Sequence, residues 1–151
     1  MPRDRTALAE NLMKTVAGLR RTVRRQIRAQ LPGRRELTGA QMELLREVKR
    51  NPGIGVAAAA RALHLAGNSV STLVNQLVSA GMLERQVDPD DRRAVRLEVT
   101  AATRERLDTW QRARNAYVAG KLTELSEEDT EKIAEAMPAL GRLLALIQEG
   151  A

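Results

Sequence analysis

Two clusters of side chains in this 151-residue chain could do chemistry, and in both it is hydrogen bonding and charge rather than bond-making. The first is Asn68, Ser69, Ser71, Thr72, Asn75 and Gln76, short uncharged groups that a helix would set on its outer side. Groups of that size match the donor and acceptor pattern of base edges in a major groove. The second is Asp88-Pro89-Asp90-Asp91-Arg92-Arg93, a polar turn with proline at its second position and arginines at its end. Long planar cations suit a narrow, strongly negative minor groove. Residues for catalysis are scarce. Cysteine is absent, which excludes disulfides, thiolate nucleophiles, zinc fingers and iron–sulfur centres. His64 is the one histidine, and one imidazole does not make a metal site. With no glycine-rich phosphate loop and no recognisable carboxylate pair, neither an enzyme nor a cofactor or metal is expected.

The elements that must hold these groups follow from periodicity. Residues 6–30 predict one long helix, because Leu8, Leu12, Val16, Leu19, Val23 and Ile27 recur every three or four positions. Arg20, Arg21, Arg24, Arg25 and Arg28 crowd its second half, a solvated end that suits the helix dipole, and Pro32-Gly33 stops it. Thr38 with Gln41 is a capping box, and Leu37 can staple onto Met42. Leu44, Leu45 and Val48 continue that second helix to the stop at Asn51-Pro52-Gly53. An alanine-rich third helix runs from Val56 to Leu63, and His64 occupies a turn where tolerance of positive φ is useful. The fourth helix spans about 68–80, with Val70, Leu73, Val74 and Leu77 inward and Gly81 as its closing glycine.

The period then drops to two. Residues 82–87 and 94–99 read as strands of a hairpin with the charged turn at its tip. Thr100 caps a fifth helix that reaches about Leu122 and carries Trp110 and Tyr117, read as packing residues. Ser126 with Asp129 opens a sixth. Its Ile133, Met137, Leu140, Leu144 and Ile147 make a heptad seam. Two short helices joined by a tight turn form a helix-turn-helix, and the hairpin after it makes a winged helix, with the fourth helix as the reader of duplex DNA.

Composition agrees. Lys and Arg number 25 against 19 Asp and Glu, a net charge of +6. Residues 1–100 carry +8 and 101–151 carry −2, and arginine outnumbers lysine 21 to 4. An arginine-rich basic body favours phosphate and base-edge contacts. Aromatic residues make up only 1%, which speaks against base-stacking RNA platforms. No apolar run approaches the roughly 18–20 residues of a membrane span and no signal-peptide core follows Met1, so a cytoplasmic protein is expected.

The sequence resembles the MarR-type family of transcriptional regulators from about residue 6 to 148. The most specific stretch is 81–100, GMLERQVDPDDRRAVRLEVT, where Asp88, Pro89, Asp91, Arg93, Leu97, Val99 and Thr100 match the family's wing signature in register. The resemblance implies that Arg93 enters the minor groove, with Arg92 beside it, while Asp91 holds the wing's shape. It implies an obligate homodimer whose terminal helices intertwine, which places Leu12, Val16, Met137, Leu140, Leu144 and Ile147 in the dimer contact. It also implies a small acidic or aromatic ligand between the dimer core and the DNA-binding lobe, and a small organic effector in the cleft between the first and fifth helices is expected alongside it. Two departures are plain. The family's usual Ser or Thr cap is Ala66 here, leaving Asn68 or Ser69 to take over, and Thr72 and Gln76 stand where the family often has arginine.

The expected fold is therefore mainly α, a winged helix-turn-helix with a two-stranded wing. Residues 1–151 are expected to form a single MarR-like domain, with 37–100 as the DNA-binding lobe and 6–36 plus 101–148 as the helical dimerisation region. The expected function is a dimeric regulator, a ligand-responsive repressor of palindromic operators with double-stranded DNA as partner. The rival readings are a chromosome-coating protein built on the same dimer and a winged helix turned to protein contacts.

Overall fold

Polar side chains cap the starts of the first, second and sixth helices near where the spacing predicts them. The computed structural model describes residues 4–31, 37–91 and 94–150, so the Pro32-Gly33 stop lies outside the described residues. Helix α1 is Arg5–Gln30, and the Asp4 carboxylate accepts from the Thr6 and Ala7 amides at 2.9 and 3.3 Å. Helix α2 is Gly39–Arg50 and opens on a complete capping box. The Gln41 amide donates to the Thr38 hydroxyl at 3.2 Å, and the Thr38 amide donates to Gln41 Oε1 at 3.0 Å. Helix α3 is Val56–Leu63 and ends on His64, held left-handed at φ 53°. That region is uncommon for a residue with a Cβ, and the sharp turn into the next helix requires it.

Helix α4 is Gly67–Ser79. Its N-cap, Ala66, offers no side-chain acceptor, and the cap role moves inside the first turn, where Asn68 Oδ1 accepts from the Ser69 amide at 2.8 Å. Its far end is a Schellman closure. Gly81 sits at φ 69°, its amide donates to the Val78 carbonyl, and the Met82 amide donates to the Leu77 carbonyl, both at 2.9 Å.

Strands β1 (Leu83–Val87) and β2 (Val95–Val99) pair antiparallel, from Leu83 opposite Val99 to Val87 opposite Val95. Ile54 adds a bridge from a third segment. It bridges Leu97, with Leu97 N donating to the Ile54 carbonyl at 3.0 Å and Gly53 N to the Leu97 carbonyl at 2.9 Å. The wing is thus stitched to the segment between α2 and α3. Helix α5 is Ala101–Leu122 and α6 is Glu127–Glu149, the latter capped by Ser126. Pro138 lies inside α6, where its ring nitrogen cannot donate to the carbonyl one turn earlier.

The described residues divide into two compact units, those within Met1–Arg34 with Trp110–Gly150 and those within Arg35–Thr109. The second holds the core: Leu44, Leu45 and Val48 of α2, Ala59 and Ala60 of α3, Val70, Val74 and Leu77 of α4, Leu83, Leu97 and Val99 of the hairpin, and Leu107 of α5. Each fully buried Val or Leu contributes about 1.5–3 kcal/mol of transfer free energy, so this cluster holds α4 against the rest of its unit. Lys49 of α2 forms an ion pair with Asp108 of α5. In the first unit only Ile27 of α1 is buried, and no residue of α6 is.

Candidate nucleic-acid interface

Helix α4 has two unlike sides. Val70, Val74 and Leu77 are buried, and Leu73 packs partly buried beside them. Asn68, Ser69, Thr72, Asn75 and Gln76 are exposed on the rest of the surface, and Ser71 lies half-buried at its margin. The apolar residues recur every three or four positions, which leaves the intervening small polar residues outward. The structure thereby brings together on one helix five exposed groups of the six predicted there.

These groups are not loose. Gln76 Oε1 accepts from Gln41 Nε2 at 2.9 Å, and the Asn75 side-chain oxygen accepts from the Arg85 guanidinium of β1. The Thr72 hydroxyl donates to the Asn68 carbonyl at 3.0 Å. Neighbouring elements therefore brace the outer side of α4 from both flanks. Gln41 is legible in the sequence only as a capping residue, and Arg85 only as an exposed strand residue. No spacing rule pairs residues 35 positions apart, so this bracing was invisible until the chain folded.

The hairpin leaves the same unit, and one carboxylate at the start of its turn ties the turn to β2. Asp88 Oδ1 accepts from the Asp90 amide at 2.8 Å, and Oδ2 accepts from Arg96 Nε at 2.7 Å. The Asp90 amide first, and the Arg96 guanidinium after it, hold the Asp88 carboxyl below its ordinary value. Asp91, exposed, contributes its carbonyl to the turn, which accepts from the Ala94 amide at 2.9 Å. Asp88 and Arg96 are the anchoring pair that sequence reasoning left without a role. Arg92 and Arg93 lie outside the described residues. At the strands' other end the Thr100 hydroxyl donates to the Gly81 carbonyl at 3.0 Å, tying the end of α4 to the start of α5.

The residues assigned to dimer contact fall in the first unit. Leu12 is half-buried, Val16 is 47% exposed, and Met137, Leu140, Leu144 and Ile147 are 37–59% exposed. Trp110 is half-buried, with the Arg114 guanidinium over its ring at 5.4 Å. Among the described residues no group of His, Asp or Glu could hold a metal ion, and no helix is long and apolar enough to cross a membrane.

A sequence model of the MarR family matches residues 36–94, the stretch from the start of α2 into the wing. No curated protein matches the chain. Solved structures match its fold almost end to end. A MarR family protein from Bacillus stearothermophilus is 19% identical, with 96% of this chain and 99% of that one covered and a TM-score of 0.76. Streptococcus pneumoniae FabT, solved in complex with DNA, is 20% identical over 95% and 99% of the two chains, with a TM-score of 0.75. The transcriptional regulator Tm0710 from Thermotoga maritima is 22% identical over 93% and 95%, with a TM-score of 0.69. At these identities the likeness is one of fold, and that fold is the winged helix expected from the sequence.

Proposed function

We propose that the protein is a dimeric, sequence-specific DNA-binding regulator of transcription, a reading supported by the match of residues 36–94 to a sequence model of the MarR family. It acts as a ligand-responsive repressor of palindromic operators. The observation that carries this reading is the outer side of α4, where five exposed short polar residues sit on a helix whose other side is locked into the core. Asn68, Ser69, Ser71, Thr72, Asn75 and Gln76 contact the major groove, and the wing turn with Asp91, Arg92 and Arg93 grips the backbone and minor groove beside it. The DNA complex of FabT, a protein of the same fold, supports the choice of partner.

Dimerisation is supported by the first unit. Five apolar residues of α6 recur at heptad spacing, and none is buried within the chain. Covering them with a second copy removes that apolar surface from water and presents two copies of α4 to one duplex. Half-sites would then lie about 10–10.5 bp apart, centre to centre. Footprinting of the purified protein, with and without small acidic or aromatic ligands, tests the whole reading. A short palindromic footprint that weakens with ligand is expected. Uniform coverage of the duplex would overturn it in favour of a chromosome-coating role, and no binding at low salt in favour of protein contacts.

A further inference from the structure

Each amide group on the outer side of α4 turns its oxygen to a donor within the protein. A carboxamide offers an acceptor oxygen and a donor nitrogen, and its orientation is settled by what its partner is able to do. Asn68 Oδ1 faces the Ser69 backbone amide at 2.8 Å, a group that can only donate. The Asn75 oxygen faces the Arg85 guanidinium, which also only donates. Gln76 is set by a relay. The Thr38 backbone amide can only donate, so it takes Gln41 Oε1 at 3.0 Å. That turns Gln41 Nε2 outward, and it donates in turn to Gln76 Oε1 at 2.9 Å. All three oxygens therefore already accept a bond inside the protein, which fixes how each amide is turned. Among the described residues, the three amide nitrogens donate to no protein group.

Building on the reading of α4 as the groove-entering helix, we propose that Asn68, Asn75 and Gln76 read base edges only as donors. Gln41 and Arg85, which lie off the recognition helix, set that polarity for Gln76 and Asn75, and the Ser69 backbone amide sets it for Asn68. The usual pairing of Asn or Gln with adenine needs both ends of the amide, oxygen to N6–H and nitrogen to N7. With each oxygen turned to its internal partner, offering both ends of the amide to one adenine means rotating away from that partner or sharing the oxygen's second lone pair, either of which weakens the pairing. Guanine asks for donors alone, since its N7 and O6 both accept. Adenine N7 and thymine O4 also accept one donor, but only guanine offers two acceptors to the two hydrogens of an amide nitrogen, so guanines are the favoured contacts, and Gln41 is a specificity-determining residue that touches no base.

The test is selection of bound sites from a random-core duplex pool by the full chain, for wild type, Gln41→Glu and Arg85→Met. In Gln41→Glu one carboxylate oxygen still accepts the Thr38 amide, so the capping box and the fold survive. The other oxygen can only accept, which forces Gln76 to turn its nitrogen inward and its oxygen to the groove. The expected result is guanine at the contacted positions for wild type. In Gln41→Glu one symmetry-related position switches to a donor-bearing edge, adenine or cytosine, with the affinity ratio shifting about tenfold. The added negative charge weakens all sites alike and cancels in that ratio. Arg85→Met frees Asn75 and should let adenine compete at a different position. Replacing guanine by 7-deazaguanine at contacted positions should weaken wild-type binding. A selected site with adenine at those positions, or a preference unmoved by either variant, overturns this inference and leaves the regulator reading standing. A pool with no enriched sequence overturns both.

Discussion

At the scale of single residues, three side chains separate positioning from recognition. Asn68 sits exposed in the first turn of α4. Asn68→Ala is expected to cost about 1–3 kcal/mol at one base position and to relax preference there, measured by titration against duplexes changed one base pair at a time. Arg93, as a wing cation, should behave differently. Arg93→Ala should weaken specific and scrambled duplexes alike and flatten the salt dependence by roughly one unit of slope. Unchanged affinity and slope would remove the wing from the interface. Asp88 makes a pH prediction. Its folded carboxyl is held below the ordinary value by the Asp90 amide and Arg96, so its contribution is present above the unfolded carboxylate pKa. It is lost as pH falls through the lower folded value. Amide exchange at Asp90 and Ala94 should therefore rise only in acid, and in Asp88→Asn it should be raised already at neutral pH.

At the scale of elements, capping decides where the helices begin. Thr38 and Gln41 satisfy two N-terminal amides of α2 reciprocally, and α2 supplies Leu44, Leu45 and Val48 to the core. Thr38→Ala should lower stability by about 0.5–2 kcal/mol in chemical denaturation, with an unchanged m-value. Helices were legible because their apolar residues repeat every three or four positions and, α3 and α4 apart, their starts carry polar caps. The strands were legible because period two and a Pro-Asp turn lie side by side. The bridge at Ile54 was not, since one residue between two glycines has no period, and only the distant Leu97 gives it a partner. The start of α4 shows the same limit. Ala66 is a poor cap, and whether Asn68 or Ser69 would compensate depended on side-chain geometry; the structure assigns the role to Asn68.

At the scale of the whole molecule, the terminal helices pose the question of a second copy. Leu144 is 55% and Ile147 59% exposed in a single chain, and the proposed dimer would cover this seam with a second copy. Replacing Leu140 and Leu144 together by Glu should convert a dimer to monomer or unfold it, because an unpaired charge in an apolar contact is costly. Sedimentation at micromolar concentration reads this directly. A wild-type chain that sediments as a stable folded monomer would refute the dimer. A dimer that persists in the double variant would place the contact elsewhere.

What the sequence determined by itself was everything carried by local order. That includes the succession of six helices and a hairpin, the apolar side of α4, the left-handed turn at His64 and the identity of the groups on the outer side of the fourth helix. Those features follow from spacing of a few residues, where backbone geometry alone decides which side chains share a side. Tertiary structure decided how those groups are aimed. The bond from Gln41 to Gln76, the guanidinium of Arg85 on Asn75 and the clasp of Asp88 by Arg96 join different elements or opposite strands. Such bonds depend on where the packed core sets α2, α4 and the hairpin against one another. No period or motif encodes that distance, so the sequence named the donors and acceptors, and the fold alone chose which of them face outward.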